Sequence, residues 1–178
     1  MGRNIKWFSG IIITIILFFS VSLIAGQCPP YQKLGALLKS IAGWQAEKCE
    51  GMNMTGSPMG ELASAHRAYS KGGKHLEAQI FCGIQWAMGT WAPFASNFQM
   101  DSTEEFIKTT TINGFPVGIN YHKKDRHGAI VVCLDKDLQA SQMVRGVFVL
   151  SFENMSWQEA LEIAKKFDWE GMKKLLKQ

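Results

Sequence analysis

Residues 7–26 carry no charge, follow the basic pair Arg3 and Lys6, and precede the whole cysteine complement of the chain: Cys28, Cys49, Cys82 and Cys133. That layout is an export signal, and it constrains folding because everything after it matures outside the cytoplasm. Disulfides persist there, so an even cysteine count predicts at least one structural bridge, with more than one pairing open. Buried free thiols are the plain alternative for any cysteine left over. No pair has Cys-x-x-Cys spacing, which excludes the usual redox and zinc arrangements.

Three fates compete for the apolar segment. A cleavable signal peptide is compatible with Ala25 or Gly26 before the cut, although Leu23 or Ile24 then occupies the second recognition position. An uncleaved anchor needs roughly 20 apolar residues, and residues 7–26 meet that length. A lipidated cysteine needs a small residue before it, whereas Gln27 precedes Cys28. The expected division is an export segment or anchor over residues 1–26 and one globular domain over residues 27–178. About 150 residues suffice for a real core. The destination is the periplasm or the extracellular side.

The formal net charge is +4, and two of those charges sit on Arg3 and Lys6. No Lys/Arg stripe with interleaved aromatics occurs, so nucleic acid is not an expected partner.

The mature part predicts a helix over 31–42, with Leu34, Leu37, Leu38 and Ile41 on one face and Gly43 as its stop. Residues 44–54 read as a first strand; Ser57-Pro58 offers a helix start, with Met59, Leu62, Ala63 and Tyr69 on one face, but a second strand over 61–71 is preferred. Lys71-Gly72-Gly73-Lys74 turns the chain into a strand over 75–82, where Leu76, Ala78, Ile80 and Cys82 oppose His75, Glu77 and Gln79. Asn113-Gly114 joins strands 106–112 and 115–121, because both residues tolerate positive φ. His122 and His127 bracket a charged tip that reads as a solvated loop. Residues 129–134 and 146–152 are continuous apolar strands. Ser156 and Glu159 form a capping box for a helix striped by Trp157, Ala160, Leu161, Ala164 and Phe167. Asp168 caps a second helix carrying Trp169, Met172 and Leu175. The fold class is α+β: an antiparallel sheet flanked by helices in an α/β/α-type sandwich.

Trp44 opening the first strand, Arg67-Ala68-Tyr69 before a Gly-Gly turn, the Asn113-Gly114-Phe115-Pro116 hairpin, and a last strand running into a capped helix form a layout over residues 31–177. In this layout the chain resembles the PsbP-like group of exported domains. The resemblance implies an antiparallel sheet with flanking helices, and it carries no functional residue.

Gly-x-Ser-x-Gly, His-Glu-x-x-His and phosphate-cradling glycine loops are all absent. The most distinctive stretch is 78–100, which is uncharged and rich in aromatics. It either covers the sheet or presents Trp86, Met88, Trp91 and Phe94 as an interaction surface. Met52, Met54 and Met59, with His66 or His75, make a second candidate, a soft Cu(I) site, whose bland counterpart is methionine packing. Two sequons, at Asn53 and Asn154, match the glycosylation pattern. These readings combine into an exported or membrane-tethered, non-enzymatic envelope protein that binds a protein partner or membrane assembly and has no cofactor. A small-ligand or copper-binding protein is the alternative.

Overall fold

The computed structural model describes residues 28–56, 60–96, 98–135 and 144–177. Residues 7–26 lie outside them. Among the described residues, no helix is long and apolar enough to cross a membrane.

The described residues contain nine strands in one antiparallel sheet. In chain order these are β1 (Gln45–Ala46), β2 (Glu50–Met54), β3 (Leu62–Lys71), β4 (Lys74–Cys82), β5 (Gln99–Asp101), β6 (Glu105–Ile112), β7 (Phe115–His122), β8 (His127–Cys133) and β9 (Gly146–Glu153). Across the sheet they run β1, β3, β4, β9, β8, β7, β6, β5, with β2 also pairing β3. The helices are α1 (Tyr31–Gly35), α2 (Ile84–Trp91), α3 (Trp157–Ala164) and α4 (Trp169–Leu176), and a 3-10 turn over Ala92–Phe94 extends α2.

Both predicted two-residue turns form. Gly72 and Gly73 join β3 to β4, Asn113 and Gly114 join β6 to β7, and all four have positive φ. This is the twist-matched turn geometry that a tight hairpin needs.

The first predicted strand is broken into β1 and β2. Ala46 pairs with Tyr69 and Glu50 with His66, so four steps along the outer strand span three along β3, the signature of a bulge. Arg67 occupies the interruption by donating from Nε to the Glu47 carbonyl at 2.8 Å. The first helix is likewise shorter than predicted. Gly35 is a weak helix former, and the carbonyls beyond it are taken by side chains: Leu38 by Arg67 Nη1 and Lys39 by the Tyr69 hydroxyl. Leu34, Leu38 and Ile41 are buried nonetheless.

Strand alternation sends Ala63, Ala65, Tyr69, Leu76, Ala78, Ile80, Phe148 and Leu150 to one face, where α1, α3 and α4 cover them in the main core. Phe167 packs on Phe148 in a tilted pair, with ring centres 4.9 Å apart, and Trp169 meets Phe115 edge-on at 5.8 Å. The capping box at α3 is half made. Ser156 Oγ accepts from the Glu159 N–H, while the Glu159 carboxylate reaches Lys74 and ties the β3–β4 hairpin to the helix. Asp168 caps α4 through the Gly171 N–H.

The opposite face holds a smaller core. Ala87, Trp91 and Phe94 pack over Val131, Cys133, Val144 and Val147. Phe94 lies directly on Gly118, where any Cβ would run into its ring. Helices therefore flank both faces, but the second face is covered over only one half. The layered sandwich predicted from sequence is incomplete there, because the other half is built from polar and charged side chains that a docking helix would have to desolvate.

Candidate functional site

The register places the outward residues of the second face in lines that cross the strands. Nearest α2, Ser64, Phe81, Val147 and Cys133 oppose one another, followed by His66, Gln79, Val149, Val131, Gly118 and Thr109. The third line is Ala68, Glu77, Ser151, Ala129, Asn120 and Ile107. The last begins with the pairs Ser70–His75 and His75–Glu153 and ends with His127–His122 and His122–Glu105. The face thus grades from apolar beneath α2 to titratable at the far ends of the strands.

The open half forms a cleft of about 490 Å³ whose walls include Glu47, His75, Glu77, His122, His127 and Glu153. No lysine or arginine lines it, although the chain has 19. Three of the four histidines meet here. The rings of His122 and His127 stack with centres 4.4 Å apart, and His122 Nδ1 lies 3.2 Å from Glu105 Oε1. Asn120 lines the same cleft, and its buried Oδ1 has no hydrogen-bond partner among the described residues.

The four residues predicted as an interaction surface separate in the structure. Trp91 and Phe94 are 6% and 5% exposed and pack inward on the sheet. Met88 is 44% exposed on the outer side of α2, and the Trp86 side chain lies outside the described part of the structure. The uncharged stretch thus covers the sheet through two of its aromatics. Met88 alone among the described side chains of that set faces outward.

Of the four cysteines, Cys28 and Cys82 form the disulfide, joining positions 54 apart in sequence. Cys49 and Cys133 are free. The Cys133 thiol is buried beneath α2, and burial pushes its pKa up to about 12. Burial also raises Cys49. Both shifts oppose thiolate formation, the reverse of what a nucleophilic cysteine requires. Because Cys28 spends its sulfur on the bridge, that atom is not free for lipidation.

Met52 and Met54 share the outward side of β2 with Glu50, opposite Ser64, Leu62 and His66. Met59 lies outside the described residues. His75 stands beside Ser70 rather than near His66, whose partner on β4 is Gln79. Of the predicted copper ligands, Met52, Met54 and His66 thus share one side of adjacent strands while His75 lies apart, and among the described residues no group of three or more His, Cys, Asp or Glu is arranged to hold a metal. Both sequon amides work within the fold: Asn53 Oδ1 accepts from the Tyr31 N–H, and Asn154 Nδ2 donates to the Gly73 carbonyl.

Sequence reasoning found His75 and Glu77 on the outward side of their strand and His122 and His127 around a tip, but did not join them. The alternation was readable. The β4–β9–β8 adjacency that makes one cleft of them depends on long-range pairing. No family model, curated protein or solved structure matches this chain.

Proposed function

We propose that the protein is an exported, non-enzymatic binding domain whose open half-face receives a protein partner. The observation that carries this reading is the unequal covering of one sheet face. A helix, two aromatics and a 3-10 turn seal the apolar half, while the polar half is left as a cleft. The Cys28–Cys82 bridge supports maturation in an oxidising compartment. The lack of catalytic motifs and the raised thiol pKa values favour binding over chemistry. Pockets for small molecules usually enclose their ligand, whereas this cleft is open and carries several titratable side chains, which favours a macromolecular partner over a small ligand.

The test is a photo-crosslinking amino acid placed at Glu77, in the cleft, and at Gln158, on the solvent side of α3, in cells carrying the full chain. A discrete crosslinked protein at position 77 and none at 158 is expected. No crosslink at 77, or the same products at both positions, removes the proposal.

A further inference from the structure

The disulfide determines which end of the sheet the N-terminal segment leaves from. Cys28 is bonded to Cys82, the last residue of β4, with Cα atoms 5.7 Å apart, and its N–H donates to the Glu61 carboxylate. Cys82 pairs with Gly146, the first residue of β9, and Leu176 at the end of α4 packs against Gly146. One end of the sheet therefore gathers Cys28, the start of α2 and the last turn of α4. Only Gln27 separates Cys28 from Gly26, where the uncharged segment ends. Two extended residues reach about 7 Å, so a membrane segment ending at Gly26 holds the Cys82 end close to the bilayer surface.

The side chains at that end suit such a surface. Arg145, Lys174 and Lys177 are exposed, and Lys173 is half-buried. The acids nearby are Glu61, which accepts the Cys28 N–H, Asp135, which accepts the Arg145 N–H, and Asp168 and Glu170 at the start of α4, set back from its lysine-bearing last turn. Basic side chains within a Debye length of roughly 10 Å of anionic headgroups are attracted to them.

We propose that residues 7–26 are retained as a membrane anchor, that the Cys82 end of the sheet rests on an anionic lipid surface, and that the disulfide holds the open cleft away from it. His75 lies seven residues from Cys82 along β4, which at 3.3 Å per residue sets the charged line of the cleft about 23 Å above that end. This arrangement rests on the export reading, and it leaves the cleft open to a partner approaching through water.

The experiment reconstitutes the full chain into phosphatidylcholine–phosphatidylglycerol vesicles whose headgroups carry a nitroxide quencher. A fluorescent non-natural amino acid is placed either at Lys174 or at Lys124 in the β7–β8 tip. Quenching several-fold stronger at 174 is expected, with the contrast reduced in pure phosphatidylcholine and lost in the paired variant Cys28→Ser, Cys82→Ser. Equal or reversed quenching overturns the orientation, and an unchanged contrast without the bridge overturns the role of the disulfide. If the paired variant does not fold, Lys173→Gln, Lys174→Gln and Lys177→Gln together keep the bridge and must still lower the contrast. A soluble species beginning near Gln27 as the sole product in cells overturns the anchor. Failure of export in cells leaves the vesicle measurements unaffected, so the two readings fail separately.

Discussion

The two faces of this sheet are built from the same strands and do opposite things. Toward α1, α3 and α4, inward residues of the strands from Ala63 to Phe152 join buried residues of the helices in one main core. Toward α2, the covering stops halfway, and the remaining positions carry His75, Glu77, Ser151, Glu153, His127 and His122. The first face is organised by burial. The second keeps burial only as far as Phe94 on Gly118, then gives way to groups that are cheaper to leave in water than to desolvate. A sheet with one sealed face and one half-open face has a stable platform and a free surface in the same molecule.

Substitutions measure that difference directly. The largest effect is expected at Phe148, fully buried under Phe167. Phe148→Ala should cost about 3–5 kcal/mol in urea unfolding, and a cost below that of any cleft variant would contradict the main-core assignment. Reducing the Cys28–Cys82 bridge frees a loop closed over a separation of 54, for which chain entropy gives about 4 kcal/mol at most. Equilibrium unfolding with and without reductant reads it. Trp91→Ala should cost about 3 kcal/mol, at the lower end for a large aromatic, since this core is small and backed by one helix. Hydrogen exchange should then rise first around Cys133 and Val147. Uniform loss of protection instead would show that the two cores unfold as one unit.

Alkaline pH sharpens the same contrast. Burial raises Cys133 from an ordinary 9 to about 12 and Tyr69 from 10 to about 12, one in each core. Both groups are held neutral in the fold and ionise earlier when unfolded, so the unfolded state binds fewer protons there and stability falls as pH rises from about 9 to 12. Cys133→Ala should remove part of that slope in a pH series of unfolding midpoints. Its persistence in full would place the alkaline loss elsewhere. The smallest effect is expected in the cleft. Glu77→Gln and His127→Gln should change stability by no more than about 0.5 kcal/mol, while altering crosslinking at the open face. A large stability loss there would make these residues structural.

Much of the strand map was legible because it is local. Asn113-Gly114 and Gly72-Gly73 announce their hairpins, Ser156 and Asp168 announce their helix starts, and the alternation of Leu76, Ala78 and Ile80 announces a buried side. The three-residue strand β5 left too short a pattern to read. The break between β1 and β2 was equally hidden, because it depends on where the Arg67 side chain lands. For the site, the sequence showed an uncharged aromatic stretch but not which way its rings point. Trp91 and Phe94 turn inward because β8 and β9 supply an apolar floor from residues far along the chain.

The sequence by itself determined the antiparallel α+β class, the hairpins, the capped C-terminal helices and the demand for a disulfide, since each follows from short-range periodicity, turn chemistry or cysteine count. Tertiary structure alone decided that Cys28 bonds Cys82, that three histidines and their glutamates share one cleft, and that one face stays half open. Those outcomes depend on strand adjacency across the sheet, where burial and desolvation are settled between residues that only folding brings together.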